Sequence, residues 1–223
     1  MNRIAEFLPI ITTLLAAIFT YQIYQHYRTI KAKYLLWWTI GIFNFGLGTL
    51  SESINILFGW SVINLKFWYI TGALFGGFTL AQGMVYFLLS NKFGDRLTLF
   101  WLLFIGVAMV CVILSPVSIP EDFSGKLSGE VFQWQWVRYF SPFVNIYAFI
   151  FSFGGAVYSA NQYFQQINKE DRFIGAIYIS AGALLPGIGG IYTKIGYVDI
   201  LFISELIGLF LIYWGYRIIR ANL

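Results

Sequence analysis

The sequence predicts an all-α polytopic membrane protein, a bundle of seven transmembrane helices with its N-terminus outside and its C-terminus in the cytoplasm. Three observations carry that expectation. Of the 223 residues, 59% are hydrophobic and only 11% charged, against about 25% charged in soluble domains. The apolar residues fall into blocks of about 20, enough at 1.5 Å rise per residue to cross a hydrocarbon core of about 30 Å. Aromatic residues, 21% of the chain, gather near the ends of these blocks, where an amphipathic ring suits the headgroup layer.

Taken in order, the blocks place spans at residues 6–26, 34–58, 67–90, 97–115, 139–164, 173–193 and 198–217. They form one membrane domain over 1–223 and leave no stretch able to fold as a soluble catalytic or nucleotide-binding module. The first block, Phe7 to Thr20 after Arg3, reads as a retained helix and not a secretory leader. Ala16 and Ala17 lie inside the apolar run, and no polar mature start follows them. With the N-terminus outside, nine of the fourteen Lys and Arg residues fall on the cytoplasmic side: Arg28, Lys31, Lys33, Lys92, Arg96, Lys169, Arg172, Arg217 and Arg220. Arg3, Lys66, Lys126, Arg138 and Lys194 fall outside, so the positive-inside rule favours this direction. The bases sit singly or in small groups, with no patch for nucleic acid.

Trp37, Trp38, Trp60, Trp68, Tyr69, Trp134, Trp136, Tyr139, Tyr213, Trp214 and Tyr216 mark the span ends as aromatic belts. The outer loop, residues 116–138, carries Glu121, Asp122 and Glu130 before the alternating run Phe132, Gln133, Trp134, Gln135, Trp136. Period-two alternation after a turn-forming stretch fits a short hairpin over the bundle or an aromatic anchor for the fifth helix.

Polar residues inside the spans lie in stripes. In the second span, Asn44, Gly48, Ser51, Glu52, Asn55 and Gly59 recur at three- and four-residue steps, so that side should face protein. The third repeats the pattern with Gly72, Gly76, Thr79 and Gly83, with Gln82 beside it; the GxxxG spacing permits close helix approach. The sixth carries Gly182, Pro186, Gly189 and Gly190, and Pro186 predicts a kink that makes Pro186, Gly189 and Gly190 the candidate hinge.

Glu52 and Glu205 stand out, because an acid deep in a span costs roughly 2.5 to 3.5 kcal/mol on insertion scales unless paired, protonated or near water. Counting from the span midpoints places both in the outer half, at about 9 Å and about 3 to 4 Å from the centre, where a ring closed in sequence order lets them converge. No Lys or Arg is near either in its own helix, although Lys66, Arg138 and Lys194 could reach in from the rim. Two readings stand. The acids are hydrogen-bonded glue, or with Asn44, Ser51, Asn55, Gln82 and Ser204 they line an outward pocket for a cation, a proton or a polar small molecule.

The residues that are missing narrow the chemistry. Every Lys lies in a loop or at a span end, which argues against retinal. His26, the only histidine, reads as a solvated residue at the end of the first span, so neither bis-histidine haem nor a multi-histidine zinc site is expected. Cys111, the only cysteine, excludes an internal disulfide and reads as a small buried residue. No Walker loop or HExxH is present. The acidic pairs Glu121 with Asp122 and Glu170 with Asp171 read as solvated loop charges. No catalytic residue, cofactor or metal is predicted.

The segment Trp37 to Leu89, with Trp37-Trp38, Gly48-Thr49, Glu52, Gly59-Trp60, Trp68-Tyr69, Gly72-Ala73 and Ala81-Gln82-Gly83, resembles uncharacterised prokaryotic membrane proteins. That resemblance implies no mechanism; the expected location is the cell membrane. The expected function is binding, sensing or transport of a small molecule or ion through an outer-half polar pocket. The alternatives are a noncatalytic accessory subunit, with partner membrane proteins or copies of itself, and a lipid-handling protein; the bilayer is a partner in each case.

Overall fold

Local signals set where the helices begin and turn. Pro9 sits in the first turn of the first helix, where its missing N–H costs nothing, and Lys31 adopts a left-handed conformation that ends it. Ser61 caps the third helix by accepting the Asn64 backbone N–H at 3.2 Å. The computed structural model describes residues 7–119, 123, 125–166, 169–193 and 197–221. Among them run seven continuous helices: α1 (Leu8–Ile30), α2 (Lys33–Phe58), α3 (Val62–Leu88), α4 (Asn91–Leu114), α5 (Gln135–Phe164), α6 (Glu170–Thr193) and α7 (Val198–Ala221). Six of them, all but α2, are long and apolar enough to cross a membrane, which makes this a multi-pass membrane protein.

The two ends of the bundle are called upper, where α1 begins, and lower, where α1 turns into α2. Helices α1, α2, α3, α5, α6 and α7 form a ring that closes between α7 and α1, and α4 packs outside it on α3. Helix α3 is the most enclosed: 61% of its apolar window is buried, against 22 to 28% in the other five candidate spans. Helices α3 and α5 each contain a wider π-helical stretch, Tyr69–Gly76 and Phe149–Gly154.

The polarity of α2 follows from its position. Its Thr39, Thr49, Ser51 and Ser53 hydroxyls donate to carbonyls three or four residues back in the same helix. Its small residues let neighbours approach: Gly46 lies against Ala16 of α1, and Gly48 against Gly72 of α3. Thr13 and Thr49 hydroxyls meet at 2.9 Å across the α1/α2 contact.

Helices α6 and α7 form the tightest pair. Gly175 packs on the Gly215 carbonyl, Gly182 on the Gly208 carbonyl, and Gly189 on Leu201 and Ser204. These contacts step by seven residues along α6, a zipper of small residues with no room for a Cβ. Pro186 lies inside the continuous α6 helix with its ring against Gly208. The candidate hinge is thus divided: Pro186 and Gly189 are wedged against α7, while Gly190 faces open space.

Several expectations differ from the structure. Most helices outrun the predicted spans: α1 continues to Ile30, α4 starts at Asn91 and α5 at Gln135. Hydropathy reports only the apolar centre, while backbone hydrogen bonds continue past it. The upper loop forms one isolated bridge, Val117 with Phe132, rather than a hairpin, and Trp134 and Trp136 stack 5.9 Å apart where α5 begins. His26 is buried, not solvated, and its Nδ1 lies 3.0 Å from the Tyr216 hydroxyl of α7. Several belt residues are core residues, Tyr69 and Tyr216 among them, because α3 begins at Val62 and α7 continues to Ala221, which puts both rings on helix-packing faces and not at helix ends. Glu170 and Asp171 are exposed but belong to the first turn of α6, where negative charge suits the helix dipole; Glu121 and Asp122 lie outside the described residues. Cys111 is half-buried on α4, packed against the core cluster around α3.

Candidate functional site

Glu52 lies six residues before the end of α2, and Glu205 seven residues after the start of α7, both about 9 to 11 Å below the upper helix ends at 1.5 Å per residue. Their carboxyl groups adjoin one another between α2 and α7. Glu52 is only 4% exposed, and its Oε1 accepts the indole N–H of Trp68 from α3 at 3.1 Å. The Oε2 atoms of both glutamates are buried and have no hydrogen-bond donor among the described residues. Two carboxyl groups hydrogen-bond to one another only through a proton, since neither anion has anything to donate.

The side chains expected around the acids do not join them. The Ser51 and Ser204 hydroxyls donate to Leu47 and Leu201 carbonyls of their own helices. Asn55 turns its amide toward the upper loop, donating to the Gly125 carbonyl at 3.0 Å, and its Oδ1 is buried without a donor. Asn44 is half-buried, two turns below Glu52 on α2. Lys66 donates to the Ile113 carbonyl, and Arg138 bonds Gln135 and lies 3.8 Å from Glu130. Neither base reaches the acids, and Lys194 lies outside the described residues. Among the described residues no three His, Cys, Asp or Glu side chains come together.

Gln82 belongs to a different site, 14 residues along α3 from Trp68 and hence about 21 Å lower. Its amide donates to the Gly94 carbonyl at 2.9 Å and to Thr98 at 2.8 Å, and its Oε1 accepts from the Tyr147 hydroxyl at 2.6 Å. Tyr86 continues the chain, contacting Thr98 at 3.0 Å and donating to Asp95 at 2.6 Å, and Asp95 pairs with Lys33 at 2.7 Å. This network ties the lower ends of α2, α3 and α4 to the middle of α5.

Between the two sites lies a feature that sequence reading missed, a cavity of about 60 Å³ within the ring. Phe19, Ile42 and Leu80 line it from α1, α2 and α3, and Ile179, Ala183 and Ile212 from α6 and α7. Its walls are apolar, so no pattern of polar residues could have announced it. Trp68 was also missed as a site residue, having been read only as a belt aromatic. The α2/α3 hairpin supplies the signal: Glu52 and Trp68 lie equally far from Trp60 in the turn, as do Gly48 and Gly72.

No protein-family model, curated protein or solved structure matches the chain. The geometry of these sites is therefore what bears on function.

Proposed function

We propose that this protein is a proton-responsive sensor or transporter of the cell membrane, with the Glu52–Glu205 pair as its binding site. In this reading all seven helices cross the bilayer with the N-terminus outside, and the pair sits in the outer half. A two-residue link between α1 and α2 supports seven crossings, because it makes α2 run back alongside α1 through the same thickness. The excess of Lys and Arg at the lower end supports the direction.

The observation that carries the proposal is the meeting of two carboxyl groups from different helices, Glu52 buried and Glu205 partly so, while Lys66 and Arg138 are engaged elsewhere. Such a contact costs free energy unless it holds a proton, and intramembrane acids commonly mark ion pathways. The expected pocket for a small molecule becomes, on this geometry, a closed site whose ligand is the proton itself. Infrared difference spectroscopy on purified protein tests it. A protonated-carboxyl C=O band present in neutral buffer should fade in alkaline buffer and be lost in Glu205→Gln, whose amide donates to Glu52 without any proton from solution. Absence of that band in the wild type would remove the proton site.

A noncatalytic accessory subunit is the second reading, favoured by the burial of Glu52 and of both Oε2 atoms among packed side chains. Under it, the protein would leave mild detergent in stoichiometric complex with a partner or with itself, and pH would not alter its conformation.

A further inference from the structure

The contacts of α6 and α7 divide unequally. With each other they are locked along their length by the glycine zipper, so a shift of one against the other would drive backbone into backbone. With the rest of the ring, α7 is held at its lower half by Gln22 to Tyr213 at 3.1 Å, by His26 to Tyr216 at 3.0 Å, and by Phe19 packed edge-on against Tyr213. In the upper half, the polar contact from α7 to another described helix is Glu205 to Glu52. The apolar cavity lies on this same seam, below the acids, with walls from both sides.

We propose that α6 and α7 move as one rigid hairpin about their lower contacts, and that the Glu52–Glu205 contact is the latch closing the upper seam over the cavity. The inference rests on the proton reading above and gives that site its consequence. When the shared proton leaves, two carboxylates face each other in a poorly solvated seam, and their repulsion acts on the end of the hairpin farthest from its pivot. Opening lets water reach both acids and extends the cleft toward the cavity.

Few charged groups surround the pair. Helix α1 presents no ionisable side chain at that depth, its His26 being at the opposite end. Helix α3 presents Trp68, with Lys66 turned to Ile113. Helix α6 has no charged residue between Arg172 and Thr193, and α7 itself carries only Asp199 nearby. The upper loop brings Glu130 and Arg138, which face one another, and Lys126, which has contacts of its own.

Spin labels on a Cys111→Ser background test the idea in phosphatidylcholine nanodiscs, since the chain has no other cysteine. Label pairs at Phe58 and Tyr197 span the upper seam, pairs at Ile30 and Ala221 the lower one, and pairs at Ile177 and Tyr197 lie within the hairpin. Going from acidic to alkaline buffer, the upper distance should lengthen by several ångströms while the other two stay fixed. In Glu205→Gln the upper distance should stay short in both buffers. An upper distance indifferent to pH while the carboxyl band titrates would overturn the latch and leave the proton site standing. A change within the hairpin as large as that across the seam would overturn the rigid unit. Loss of the band itself would remove the proton reading together with the latch.

Discussion

The two polar sites of this bundle solve the same problem in opposite ways. At the lower site, Gln82 is completely buried, yet both ends of its amide are hydrogen-bonded, and the chain of partners runs through Thr98 and Tyr86 to Asp95 and Lys33 at the surface. At the upper site, Glu52 accepts one bond from Trp68 and adjoins another acid, and neither Oε2 has a donor among the described residues. A satisfied network fixes one arrangement, because every alternative breaks bonds that water cannot replace. An under-satisfied pair is held by less and changes state with a single proton. On the proposed reading the difference separates rigidity from responsiveness: the lower end is a clamp and the upper end a switch.

Substitutions sharpen that contrast. The largest effect is expected from Gln82→Leu, which strands the buried Tyr147 hydroxyl and removes one partner of Thr98; thermal unfolding should show a loss of about 2–4 kcal/mol. An unchanged melt would mean that the lower network clamps nothing. The double change Glu52→Leu with Glu205→Leu should leave stability unchanged or raise it by up to ~2 kcal/mol, because buried polar partners removed together cost little. If this variant unfolds instead, the acids are a structural pin. The smallest effect belongs to Lys33→Gln, whose pair with Asp95 is solvent-exposed and screened by salt. Its melt should overlay that of the wild type, and a clear shift would show that the surface pair anchors the clamp.

Much of the helical content was legible because bilayer thickness imposes block lengths that composition exposes, whereas helix direction and ring closure allowed Glu52 and Glu205 to converge without requiring it. The partners of the acids were not legible. Serine hydroxyls on a helix have a local carbonyl always within reach, so Ser51 and Ser204 bond there instead. Gln82 shared the stripe pattern of α3 but lies at the wrong depth, which periodicity does not report. His26 appeared solvated because its burial depends on α7 folding back across α1, a contact between residues 190 positions apart.

The modest hydropathy of α2 also matters before the fold exists. A segment carrying Asn44, Glu52 and Asn55 among its glycines partitions poorly into lipid as an isolated helix. Helix α1, joined to it by two residues, offers Ala16 and Thr13 as ready docking partners. During biosynthesis the pair is therefore expected to enter the bilayer together, with the emergence of α1 setting the moment at which α2 is accepted. Lengthening that short link would separate the two events and send the polar helix to the translocation channel unaccompanied.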